Sequence, residues 1–184
     1  MNASPTRALR DEHALILEVL DRFEHALARA ARTAEPAAHE FASFIEFFRG
    51  YADCCHHRKE EACLFPLLER HGVVGPLGCM LEEHREGRGL IARLARAVEA
   101  ADFADIEAAG YAYADLLRIH IEKENRVLFE LADQCLTAAE TAELARLYAQ
   151  LESDPDYGET WQRCCRLVES MLAAAGRGAA RGSA

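Results

Sequence analysis

The sequence predicts an all-α protein, an up-down-up-down antiparallel four-helix bundle with additional C-terminal helices. Three observations carry that expectation. Apolar residues recur at steps of three and four along four long stretches. Proline is scarce, at 5 of 184 residues, while the strong helix formers alanine and leucine run throughout. The links between the long stretches are short, which favours antiparallel neighbours. The apolar content of 51% excludes a disordered chain, and the length suits one domain with a sizeable core.

The first helix is expected over about 6–31, after a loose start ending at Pro5. Leu9, His13, Leu17, Leu20, Glu24 and Leu27 share one side, so a histidine interrupts an otherwise apolar stripe. Glu35-Pro36 marks a break, and Pro36 or Ala37 opens the second helix, which ends near Arg70. Its inward face reads Phe41, Phe44, Phe48, Cys54, Leu64, Phe65 and Leu68, with His57 and Glu61 continuing it. Pro66 inside that pattern is expected to kink or widen the helix. After the Gly75-Pro76 loop, the third helix spans about 77–101, with Met80, His84, Gly87, Ile91, Leu94 and Val98 on one face. The fourth covers about 103–133 and carries Tyr113, Leu116 or Leu117, His120, Glu124, Val127 and Leu131 at core-like steps. Thr137 with Glu140 three residues on reads as a capping box for a helix to about 151. A turn at 153–158 leads to a last helix over about 160–174 containing Trp161. The domain organisation is thus a bundle over 6–134, a helical extension over 137–175 on the bundle or a partner, and a disordered tail at 176–184.

His57 and Glu61 are four residues apart, and so are His120 and Glu124, so each pair sits on one helix face. His13 and His84 fall among apolar positions of the other two helices. In an up-down-up-down bundle the helices of each parallel pair bring these residues to similar heights, so the six side chains can meet in one interior. A buried carboxylate without a partner is very costly. A salt-bridge cluster using Arg88 is the bland alternative. The combination of imidazoles with carboxylates points instead to metal: His13, His57, Glu61, His84, His120 and Glu124 are the candidate ligands. Imidazole with carboxylate suits iron, with manganese and zinc as competitors. Two carboxylates that each offer two oxygens can bridge two ions, and an oxo or hydroxo bridge would complete the coordination. Glu60, Arg88, Tyr113, Tyr51 and Cys54 lie near the ligand faces and are candidates for contacting the ligands or a bound molecule.

The net charge of -10 argues against a nucleic-acid surface. No uncharged run reaches membrane-spanning length, and residues 1–15 lack the apolar core of a signal peptide, so a cytoplasmic location is expected. The seven cysteines include two adjacent pairs, which cannot easily close on themselves along a helix, and read as reduced thiols.

The segments Leu9-Arg10-Asp11-Glu12-His13, His56-His57-Arg58-Lys59-Glu60-Glu61 with Leu64-Phe65-Pro66, Glu82-Glu83-His84, and His120-Ile121-Glu122-Lys123-Glu124-Asn125 with Leu128-Phe129 resemble the hemerythrin-like, HHE cation-binding proteins. The resemblance covers about 6–134. It implies a four-helix bundle with a non-haem di-iron centre held by the six candidate ligands. The oxygen-carrying hemerythrins have a second histidine where this chain has Arg88, and an aspartate where it has Asn125. The resemblance therefore points to the branch associated with oxygen or nitric oxide sensing, iron handling and peroxide chemistry. The function expected is binding of dioxygen, nitric oxide or peroxide at a di-iron centre, with peroxidase or catalase-like turnover. The alternatives are a non-enzymatic oxygen, nitric oxide or iron sensor and, ranked lower, iron storage or ferroxidase. In the sensor reading the C-terminal helices transmit the state of the centre; they also offer a homodimer contact. Arg88, if it reaches the centre, is a candidate for orienting an anionic ligand.

Overall fold

The computed structural model describes residues 4–33 and 38–181, with side chains to 173. All its regular elements are helices. Helix α1 is Arg7–Thr33. Helix α2 is continuous but changes pitch: α-helical at Ala38–Phe47, π-helical at Phe48–His57 and Glu60–Leu64, and α-helical again at Phe65–Arg70. Helix α3 is Gly75–Glu99. Helix α4 runs through Phe103–Lys123, a π-turn at Glu124–Leu128, and Phe129–Cys135. These four form the antiparallel bundle. Helices α5, Ala138–Glu152, and α6, Pro155–Arg181, are the extension. The expected break at Glu35-Pro36 lies outside the described residues.

Local chemistry sets the ends. The Asp102 carboxylate accepts from the Asp105 amide to cap α4. Thr137 and Glu140 cap α5 reciprocally, as the capping box predicts. Gly72 takes a φ of 78° just beyond α2, where a side chain would be strained. The last helix starts at Pro155 rather than near 160, because Pro at the first helical position gives up no hydrogen bond. Its backbone stays helical to Arg181, through much of the alanine-rich stretch expected to be tail.

The interior is two apolar cores with a polar layer between them. One core joins Ile16, Leu20, Phe23, Phe44, Phe48, Ile91 and Tyr113. The other joins Leu9, Leu64, Leu68, Met80, Leu128 and Phe129, and reaches Leu144 and Tyr148 of α5. His13 lies between Leu9 and Ile16, His56 between Ala52 and Leu64, His84 between Met80 and Ile91, and His120 between Leu117 and Leu128, all buried. Each helix thus contributes to the polar layer as it passes from one core to the other.

Helices α1 and α4 come close at Gly110. A Cβ there would stand 2.6 and 2.9 Å from the Leu27 methyls and 3.2 Å from Phe23 Cζ, both in the core. Gly89 on α3 is exposed, with open space around it. Gly110→Val is expected to cost about 2 kcal/mol through overpacking, whereas Gly89→Ala should gain about 0.5–1 kcal/mol from helix propensity. Urea unfolding of the two proteins checks the contrast; equal midpoints would contradict the close approach.

Candidate metal centre

Two groups of side chains in the polar layer can each hold a metal ion. One is His57, Glu60, His84 and His120; the other is His13, His56, Glu60 and Glu124. All seven residues are buried. Glu60 belongs to both groups, with Oε1 3.5 Å from His56 Nε2 and Oε2 3.5 Å from His84 Nε2. Glu124 Oε2 lies 3.2 Å from His13 Nε2 and 3.3 Å from His120 Nε2. The two carboxylates therefore stand between imidazoles from four helices.

The five rings share one arrangement. His13 Nδ1 meets Asn125 Oδ1 at 3.0 Å, His56 Nδ1 meets Glu12 Oε2 at 2.8 Å, His84 Nδ1 meets Glu61 Oε1 at 2.7 Å, and His120 Nδ1 meets Glu83 Oε2 at 2.9 Å. His57 Nδ1 faces Asp53 Oδ1 at 3.5 Å, a looser approach. An oxygen at Nδ1 places the proton there and turns the Nε2 lone pair inward, as metal-binding histidines require. These acceptors are themselves held: Glu12 by Lys59, Glu83 by Lys123, and Asp53 and Glu61 by Arg88.

Most of the inward atoms have no hydrogen bond among the described residues. His13, His56 and His57 Nε2 and all four oxygens of Glu60 and Glu124 are buried without a hydrogen bond. His84 Nε2 and His120 Nε2 face each other at 3.1 Å. With both Nδ1 atoms directed at carboxylates, neutral rings would set two lone pairs against each other there. Two nitrogens bound at right angles to one ion at about 2.1 Å would be about 3.0 Å apart. Protein charges alone leave the centre unbalanced. Burial, then the neighbouring Glu124, pushes the Glu60 carboxyl well above the usual range. Burial also opposes charge on Glu124, but His120 and His13 outweigh it and hold that carboxyl well below its ordinary value. Burial, then the neighbouring His84, pushes His57 well below the ordinary imidazole range. Two divalent ions would relieve both the carboxylate repulsion and the unpaired nitrogens. The donor set fits a binuclear metal site.

The structure brings His13, His57, His84, His120 and Glu124 together, as the sequence spacing suggests. It places Glu61 elsewhere, at the rim, where its carboxylate accepts from His84 and Arg88. Glu60 takes the central place, and His56, which was not among the candidate ligands, joins it. The cause is the π-helical pitch of α2, in which i→i+5 bonding widens the turn and brings His56 and His57 both inward. Cys54, expected inward, is exposed, and Cys55 is buried instead. Val127 and Leu131, expected in the core, are half-exposed, while Leu128 and Ala132 are buried after the π-turn in α4. Tyr51 packs against Phe47 and Trp161, toward the extension rather than the centre. Tyr113 stands in a cavity beside His57, His84 and His120. Arg88 is engaged by Asp53 and Glu61, which leaves its guanidinium committed to carboxylates rather than to an anionic ligand.

Lys59 was not legible as an inner residue. It is 2% exposed, with Nζ 2.5 Å from Glu12 Oε1 and 2.7 Å from Glu152 Oε1. The rings of Trp161, Tyr148 and Tyr157 surround it at 5.3, 5.6 and 5.7 Å. A path thus runs from His56 through Glu12 and Lys59 to Glu152 at the end of α5 and to Tyr157 and Trp161 on α6.

A helical bundle whose interior layer is lined by imidazoles and carboxylates from all four helices defines a cation-binding bundle protein. The hemerythrin HHE cation binding domain matches residues 4–132, and the chain belongs to that family. No curated protein and no solved structure matches it. No described helix is long and apolar enough to cross a membrane.

Proposed function

We propose that this chain carries a di-iron centre and serves as a non-enzymatic module that responds to dioxygen, nitric oxide, peroxide or iron supply. The observation that carries the reading is the convergence of buried imidazole nitrogens and carboxylate oxygens without a hydrogen bond among the described residues. The ligands are His13, His56, His57, His84, His120, Glu60 and Glu124. Imidazole and carboxylate donors suit iron, with zinc and manganese as competitors. When bound, the iron pair supplies a reducing site for a small oxygen- or nitrogen-containing ligand. The chain supplies the rest. Asn125, Glu12, Asp53, Glu61 and Glu83 aim the imidazoles. One cavity gives a small ligand an approach to the rings of His57, His84 and His120; its lining does not include His13, His56 or Glu124.

The sensor reading is favoured by Lys59, which couples the Glu12–His56 contact to the C-terminal extension. A change in charge at the centre alters how strongly Glu12 competes for Lys59, and hence how α5 and α6 dock. The free thiols of all seven cysteines suit a reducing compartment such as the cytoplasm.

The test is metal analysis of anaerobically purified protein followed by nitric oxide and air titrations read at Trp161, the single tryptophan. Two irons per chain and a saturable change in tryptophan emission are expected, matching the two ligand groups. Absence of bound metal after reconstitution would end the di-iron reading. Rapid multiple turnover of peroxide with Trp161 unmoved would replace the sensor by a peroxidase.

A further inference from the structure

The cavity beside His57, His84 and His120 has a volume of about 380 Å³. A molecule the size of water or a diatomic needs roughly 30 Å³. The space is therefore about an order of magnitude larger than the small ligands considered above, and falls among sites for organic molecules. Beyond the imidazoles, its walls are mainly the apolar side chains of Phe48, Ile91, Leu116 and Leu117. Gly87 keeps the cavity open: a Cβ there would face Tyr113 Cε2 at 3.6 Å and Leu116 Cδ2 at 3.8 Å.

A second observation concerns the polar group in this wall. Tyr113 is 4% exposed and packs on Phe48, with ring centroids 4.9 Å apart. No described residue hydrogen-bonds its phenol. Burial pushes the phenol well above its ordinary pKa, so it is a neutral donor in a largely apolar wall. Its hydroxyl opens onto the cavity, where a ligand oxygen can accept from it in place of solvent.

The charges at the cavity rim are largely paired already. Arg88 is shared by Asp53 and Glu61, and Glu83 is held by His120 and Lys123. Only Arg49, exposed at the mouth, stands outside these pairs. An anion in the interior of the cavity would gain little from them, so the site suits a neutral occupant.

We propose that this cavity binds a neutral organic molecule, an alcohol or hydroperoxide with a compact alkyl or aryl body, with its oxygen between the Tyr113 phenol and the imidazole face. The apolar body fills the space between Phe48, Ile91 and Leu117. The inference deepens the ligand-binding reading by naming the ligand's chemical class, and it relies on that reading only for the metal behind the imidazoles.

The test uses the full chain, metal-free and zinc-loaded, with cumyl alcohol as an unreactive probe, followed by titration calorimetry and ligand-detected nuclear magnetic resonance. Saturable binding of one probe per chain is expected. Tyr113→Phe should weaken it about fivefold, the loss of one hydrogen bond. Gly87→Leu should abolish it, and Gly87→Ala, whose Cβ makes only ordinary contacts, should weaken it while keeping the fold. Circular dichroism and zinc content are measured on every variant. No binding by the parent chain, or undiminished binding by Gly87→Leu and Gly87→Ala, overturns the proposal. Probe binding with no metal uptake would defeat the dimetal reading and leave the cavity site standing; metal uptake with no probe binding would do the reverse.

Discussion

Glu60→Ala is expected to lose metal from both groups, whereas Glu61→Gln should keep it. Glu60 is fully buried, both its oxygens are unpaired, and it belongs to each group. In the di-iron reading, its removal would take a donor from two ions at once. Glu61 touches the centre only through His84 Nδ1, and glutamine retains an oxygen for that contact. Disturbing a partner of this kind costs about ten- to a hundredfold in metal affinity, and the amide should fall at the low end. Loss of a bridging donor should exceed about a hundredfold. Competition against a coloured chelator measures both. A larger loss in Glu61→Gln than in Glu60→Ala would return the bridging role to Glu61. The same residue gives a stability prediction of opposite sign. Without metal, burial and Glu124 work against charge on Glu60. Replacing it with leucine should therefore raise metal-free stability by about 1–3 kcal/mol, the cost of buried polar atoms left without a hydrogen bond. A centre retained at a cost to the fold is the mark of a functional site.

The bundle was legible because four amphipathic stretches and short links leave few alternatives. The site was legible in type but not fully in register. Two overlapping pairs, His56 with Glu60 and His57 with Glu61, share the same four-residue spacing, and α-helical geometry admits only one of them to the interior. The missed signal is the strict step of four from Phe44 through Phe48, Ala52, His56, Glu60, Leu64 and Leu68, every one buried. An ideal α-helix, at 3.6 residues per turn, would carry such a row around its surface. A row that stays inside over that length requires a wider mean pitch, which the π-helical segments provide. The same widening at Glu124–Leu128 moves burial from Val127 and Leu131 to Leu128 and Ala132. The residues that orient the ligands were less visible still. Glu12, Glu83 and Asn125 each neighbour a ligand in sequence, but each bonds a histidine on another helix, a pairing set by packing rather than spacing.

Lys59→Met should be the most damaging change away from the metal ligands. Lys59 and Glu12 are both nearly enclosed, and removing one partner of a buried pair typically costs about 3–5 kcal/mol because the other charge is stranded. Methionine matches the stem of the side chain, so the loss is chiefly the charge and its approach to Trp161, Tyr148 and Tyr157. Glu12→Gln in the same chain should restore part of the stability, since the amide keeps an oxygen for His56 Nδ1 and leaves no unpaired carboxylate. Calorimetric unfolding of the single and double variants gives the first readout; a double variant no more stable than Lys59→Met would refute the charge argument. Trp161 emission gives the second. In the parent chain it should change on metal uptake. In the double variant, folded but without the Lys59 link between Glu12 and Glu152, it should not. A metal response that persists there would mean that the extension senses the centre by another route. A response that disappears while metal still binds would separate two functions of one fold: holding the ions through the four-helix layer, and reporting on them through a lysine between that layer and the C-terminal helices.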